Sequence, residues 1–342
     1  MVVPMPTTSV RDVAKLAGVS VGTVSNVLNH PEKVSPAVAL RVQGAIDELG
    51  FIRNDAARQL RAGRSKTIGL VVLDVRNPFF TDVARGAEDQ AAIAGLTVIL
   101  GNSDESSERE AAYLDLFEEQ RVHGVLISPF GDITARLERL RQRGIPAVLV
   151  DRSSGDASFS SVSVDDLAGG RLAVEHLIAQ GRSRIAFIGG PMQIRQVQDR
   201  LAGARMAIAA HPHTNLETIV IEALSVLAGR AAGIEIAARA PADRPDAIFA
   251  ANDLVAMGVL QALMMQGADI RVPRDVSLIG YDDIDFARAA VVPLSSIRQP
   301  SALIGQTAVE ILLEQASDEA TPPRQVVFEP ELVVRESSRE LS

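Results

Sequence analysis

Between positions 9 and 50, apolar residues recur at spacings of three and four, punctuated by small polar residues and glycine. Val10, Val13, Ala14 and Ala17 form one helical stripe. Ser9 can cap it, with Asp12 as the acid of a capping box, and Gly18 supplies the left-handed residue that ends it. After Val19, Ser20 caps a second helix in which Val24, Val27 and Leu28 share a face. At about 100° per residue, Val21, Gly22, Ser25 and Asn26 project the other way. Ser35 and Pro36 open a third helix, with Val38, Val42, Ala45, Ile46 and Leu49 inward and Gly50 at its end. One sealed face and one short polar face on two helices joined by a tight turn predict a helix-turn-helix, its second helix in a DNA major groove. An ordinary αα-hairpin gives the same local pattern.

The next stretch, residues 53–65, has almost no apolar face. Asn54 can cap a short helix whose apolar candidates are Ala56, Ala57 and Leu60, and so short a helix is marginal alone. Arg58, Arg61 and Arg64 suit a phosphate backbone, and Leu60 suits a wedge in a minor-groove base step. The alternative is a charged linker. From Thr67 the texture changes to short β-branched runs: TIGLVVLDV, LTVILGN, GVLIS, PAVLVD, SRIAFIGG, DAIFAAND and DVSLIGYDD. Amphipathic stretches at 80–94, 105–120, 167–180 and 254–266 lie between them. Alternating strands and helices predict α/β architecture, with parallel sheets doubly wound in two lobes.

Charge sharpens the division. The net charge is −9, but residues 1–66 carry nine basic and five acidic residues, +4, and hold every lysine of the chain. The remainder is −13. A basic module on an acidic body is the footprint of local phosphate binding. The chain has no cysteine, which excludes disulfides and thiolate metal sites and fits a reducing, cytoplasmic location. The N-terminus has no signal-peptide pattern, and no apolar run approaches a membrane span.

The first module resembles the headpiece of the lac-repressor (LacI/GalR) family, through Asp12-Val13-Ala14, Ala17-Gly18-Val19-Ser20, Thr23-Val24-Ser25 and Val27-Leu28-Asn29. Asn54, Ala57 and Leu60 match the family's hinge, while Arg53 stands where many relatives have proline. The resemblance runs to the end of the chain and implies a headpiece at 1–52, a hinge at 53–65 and a periplasmic-binding-protein-like sensor at 66–342. Within the sensor, one lobe is expected at 66–164 and 299–323, the other at 165–298 and 324–342. The resemblance implies operator contacts at Ser20, Val21, Gly22, Thr23, Ser25, Asn26, Asn29, Asn54, Ala57, Arg58 and Leu60. The tail VVRESSRELS lacks heptads, so a homodimer is expected rather than a tetramer.

In open α/β sheets, ligands sit beyond the carboxyl ends of strands. That rule selects Asn77, Phe79 and Phe80, then Asp151, Asn252 and Asp282, with Gln196 and Arg200 at helix spacing and Gln299 in a crossover. Carboxylates, amides, one arginine and phenylalanine rings suit paired hydroxyls and the C–H face of a sugar. The resemblance implies sugar contacts at Asp151, Arg200, Asn252, Asp282 and Gln299, and Phe79-Phe80 resembles the ring pair of ribose-binding proteins. A monosaccharide or polyol is expected, a purine being the alternative. Asp253 and Asp283 read as helix caps. There is no G-x-G-x-x-G or phosphate loop, and His211-x-His213 lacks further ligands, so neither enzyme chemistry nor a cofactor is expected. A transport-type sugar binder would share the sensor but have no use for the headpiece.

Overall fold

The computed structural model describes residues 8–51, 65–153, 155, 158–265, 270–318 and 320–339. The hinge positions Asn54, Ala57, Arg58 and Leu60 lie outside the described residues. The chain divides into two compact units, the second beginning at Ser65.

In the first unit, helices α1 (Val10–Ala17), α2 (Val21–Asn29) and α3 (Pro36–Leu49) follow the pattern of their apolar residues. Asp12 accepts from the Ser9 amide and hydroxyl at 2.9 and 2.7 Å, completing the start of α1. Gly18 ends it at φ 63°, a left-handed conformation that costs glycine nothing. Val13, Ala14, Ala17, Val24, Val42, Ala45 and Phe51 close a small core. A 3₁₀ turn, Pro31–Lys33, joins α2 to α3.

The second unit holds two six-stranded sheets. The first contains β1 (Thr67–Val72), β2 (Thr97–Asn102), β3 (Gly124–Ile127), β4 (Ala147–Val150), β5 (Ser160–Val164) and β11 (Gln325–Phe328). Their order is β11-β5-β4-β3-β1-β2, and every pairing is parallel. The second contains β6 (Arg184–Gly189), β7 (Asn215–Val220), β8 (Ala247–Ala250), β9 (Ser277–Asp282), β10 (Ser295–Arg298) and β12 (Glu331–Val333). Its order is β12-β10-β9-β8-β6-β7, with only β12 antiparallel. The expected place of 324–342, wholly in the second lobe, is corrected by this pairing. Residues 325–328 pair with β5 in the first sheet, and the chain crosses again before β12. Exposed and half-buried positions alternate along Gln325–Phe328, as they would in an edge strand on either sheet, so only pairing decides.

Around the sheets lie α4 (Pro78–Ile93), α5 (Ser107–Glu119), α6 (Thr134–Gln142), α7 (Asp166–Ala179), α8 (Arg195–Ala209), α9 (Val226–Ala237), α10 (Asp253–Met265), α11 (Asp285–Ala289) and α12 (Ser301–Ser317). No helix among the described residues is long and apolar enough to cross a membrane. Helices α7 and α8 touch backbone to backbone. A Cβ on Gly170 would meet the Arg200 carbonyl oxygen at 2.0 Å, and one on Gly203 would meet that of Leu167 at the same distance. Gly203→Ala is therefore expected to destabilise the sensor by roughly 1–3 kcal/mol, because neither backbone can move alone. An unchanged denaturant midpoint would show that the helices separate freely.

Candidate functional site

The first site is the outer face of α2. Val24 is fully buried and fixes the helix on α1 and α3, whereas Val21 is 47% exposed. Gly22, Asn26 and Asn29 are exposed, and Thr23 and Ser25 are half-buried. Ser20 accepts from the Thr23 amide at 3.0 Å, and their hydroxyls lie 2.9 Å apart. Asn29 donates to the Ser25 carbonyl at 2.8 Å. The helix thus offers its positive N-terminal end and a face of short side chains.

The second site lies between the lobes, beyond the carboxyl ends of the strands. In each sheet the strand order reverses about one strand, β1 in the first and β6 in the second, where such crevices form. The cavity there encloses about 420 Å³, part of it open to solvent. Asn77, Phe79, Phe80, Asp151, Gln196, Arg200, Asn252 and Asp282 line it together. Gln299 stands behind, donating to Asp282 at 2.8 Å, while Asn77 donates to the other oxygen of Asp282 from the opposite lobe at 2.8 Å. Gln196 donates to Asp151 Oδ2 across the cleft at 2.9 Å. Phe79 and Phe80 pack edge to face, ring centres 5.0 Å apart, and both are buried.

Arg200 is the pivot. Its Nε donates to Asp166 at 2.7 Å, its Nη1 to the Ala251 carbonyl at 2.7 Å, and its guanidinium lies 3.6 Å over the Tyr281 ring. Burial opposes its charge, but Asp166, Tyr281, Asp282 and Asp151 outweigh burial and hold the arginine pKa above its ordinary value. Burial lifts Asp151 well above the carboxylate range, Asp166 adding to it, and lifts Asp282 to about 6 against the pull of Arg200, Asn77 and Gln299. Because the folded pKa of Asp282 is raised, its contribution to stability is present at low pH and lost as pH rises through about 6. Three buried acceptors here have no hydrogen-bond partner: Asp151 Oδ1, Gln196 Oε1 and Gln299 Oε1.

Two sequence readings change. Asn252, not Asp253, caps α10, accepting from the Val255 amide at 2.9 Å. Asp253 is fully buried and instead ties β10 to the turn after β9, accepting from Ser296 at 2.7 Å and the Ile284 amide at 2.9 Å. Asp283 pairs with Arg298 at 2.7 Å and Arg335 at 2.6 Å, away from the cavity lining, rather than capping a helix. Asp74, Glu105 and Leu224 also line the cavity, although none of them is among the residues selected from the sequence. Glu105 follows β2, so the strand-end rule applied to that strand would have found it.

Residues 9–54 match the bacterial regulatory proteins of the lacI family, and residues 174–338 match the periplasmic binding protein-like domain. The HTH-type transcriptional repressor PurR of Photobacterium profundum is 35% identical over 98% of this chain and 99% of its own length. The chain belongs to the LacI family of bacterial regulatory proteins. Transcriptional repression through DNA is therefore the class of activity. Among solved structures, the transcriptional regulator CelR–cellobiose complex is 33% identical over 96% of this chain and 99% of its own, with a TM-score of 0.71. The lac repressor dimer bound to operator and the anti-inducer ONPF is 28% identical over 97% of this chain and 99% of its own, with a TM-score of 0.82. The α2 face and the interlobe cleft are thus parts of a LacI-family repressor.

Proposed function

We propose that this LacI-family repressor binds a pseudo-palindromic operator as a homodimer and is controlled by a neutral monosaccharide or polyol held in the interlobe cleft. The observation that carries the effector class is the pair of partnerless buried oxygens on Asp151 and Gln196, beside Arg200 and the phenylalanine pair. Buried acceptors without donors are costly, and ligand hydroxyls would satisfy them. A phosphorylated ligand is disfavoured, because the arginine in the cavity wall is already bonded to Asp166 and the wall adds the acid Asp74. The CelR complex contains cellobiose, which supports a carbohydrate on this fold.

On DNA, Val21 would meet thymine methyl groups, Asn26 an adenine edge and Ser25 a base edge or phosphate. Dimerisation is supported by two exposed sheet edges on the side where Glu105 and Leu224 meet. Ile99 and Leu100 lie on β2 with Ile93 beside them, and Val220 lies on β7 with Leu227 beside it. Leu227 is 75% exposed and Ile93 81%. Leu227→Asp is expected to shift the full chain toward monomer in sedimentation velocity; an unchanged coefficient would move the interface elsewhere.

The deciding test of the effector is thermal shift of residues 65–342 against pentoses, hexoses, polyols, sugar phosphates and purines. A ligand at a hundred times its Kd stabilises by about 2.7 kcal/mol, which a melting curve resolves. Response to a purine alone would replace the sugar reading with a purine-responsive regulator.

A further inference from the structure

An acid that no motif singles out closes the wall of the cleft. Glu105 lies between the end of β2 and helix α5 and lines the cavity beside Asp74. Asp104 and Glu105 have φ of 52° and 54°, left-handed positions that are strained for such side chains and persist only when surroundings enforce them. The enforcement is visible. The Glu105 amide donates to the Leu73 carbonyl at 3.2 Å. Asp104 takes Arg76 Nη2 at 2.7 Å and Arg109 Nη1 at 3.1 Å, and Arg76 Nε reaches both oxygens of Asp74 at 2.8 and 3.0 Å. Held in this way, the Glu105 carboxyl faces the Leu224 backbone amide of the opposite lobe. Asn252 donates to the carbonyl of that same Leu224 at 3.4 Å, so the contact abuts the wall assigned to the effector.

We propose that Glu105 belongs to the effector site and meets the second lobe as a neutral carboxyl, so that closing the cleft takes up a proton. The inference rests on the effector function proposed for the cleft, with its two lobes closing on the ligand and parting without it.

The charged groups that act on Glu105 are Asp74 and Arg76 from the loop after β1 and Asp104 from its own loop; the second lobe presents a backbone amide. Burial, then Asp74, outweigh the Leu224 amide and Arg76, and push the carboxyl to about 7. Parting the lobes returns water to it and lowers its pKa toward the ordinary 4.5. The closed form therefore binds more protons, closure strengthens as pH falls through 7, and the effect is flat above about 8. Between pH 8 and 6 the closed-to-open ratio should rise about tenfold. Asp282, near 6, acts in the same direction at lower pH.

Because the chain has no cysteine, a spin-label pair can be placed cleanly at Glu108→Cys and Glu222→Cys, both exposed and flanking the contact. Interlobe distance distributions of the full chain would be recorded from pH 5 to 9, with and without the sugars and polyols of the thermal panel. The expected result is a tenfold rise in the short-distance population from pH 8 to 6. In Glu105→Gln the tenfold rise should be lost, leaving only the smaller rise near pH 6 to which Asp282 contributes. In Asp74→Asn, which removes the like charge, the midpoint should move to lower pH. A ratio that ignores pH, or full pH dependence in Glu105→Gln, overturns the proposal. A ratio moved by a sugar but not by pH removes the proton coupling and leaves the effector reading standing. A ratio moved by pH but by no sugar or polyol leaves the coupling standing and removes the sugar reading.

Discussion

Arg200→Ala is expected to abolish the effector response and to destabilise the sensor by about 3–5 kcal/mol, the usual result of removing one partner from a buried ion pair. The guanidinium is 4% exposed and is bonded to Asp166, itself 7% exposed, and Asp282 lies 3.9 Å away. Without it, Asp166, Asp151 and Asp282 share a buried region with no cation among the groups that hold them. They would take protons instead, so the loss should shrink as pH falls from 8 to 5. Melting at several pH values, with the effector found by thermal shift, checks both parts. A variant that keeps its effector response would remove Arg200 from the site. A pH-independent loss would mean that Arg200 acts through packing on Tyr281 alone.

Removal of residues 1–64 is expected to cost operator affinity at least about a thousandfold, the lower range of specific over non-specific binding. The sensor's melting should change little. The second compact unit begins at Ser65, and its two sheets and their helices are complete without the headpiece. All three lysines lie within residues 1–66, and the remainder, at −13, repels phosphate. Anisotropy on a duplex selected by the full chain from random sequence provides the test. Retained binding by the truncated chain would overturn the division of labour and place DNA recognition on the sensor.

The sequence by itself determined the headpiece almost completely. Ser9, Gly18, Ser20, Pro36 and Gly50 are local signals, each acting within a few residues of itself, and α1 to α3 begin and end where they stand. The buried central strands are equally plain, because β1, β6, β8 and β9 each carry an apolar centre that water excludes from any other place. The polar residues that follow such runs mark Asn77, Asp151, Asn252 and Asp282 as cleft residues through local order along the chain alone.

Tertiary structure decided the rest, wherever a residue's role depends on partners distant in the chain. Strand β5, SSVSV, has three serines and is fully buried, since its neighbours β4 and β11 supply the pairing that its side chains do not advertise. Strand β11 joins the first sheet although β12, a few residues later, joins the second. Asp253 and Asp283 look like Asp282 in the bare sequence, yet Ser296 and the Ile284 amide satisfy the first, and Arg298 and Arg335 the second. Glu105 gains its character chiefly from burial, from Asp74, 31 residues earlier, and from the lobe that meets it. Local pattern fixes which face of an element is apolar, because that is set by periodicity. Which carboxyl remains available in the cleft is set by desolvation and by the donors that long-range folding brings to it.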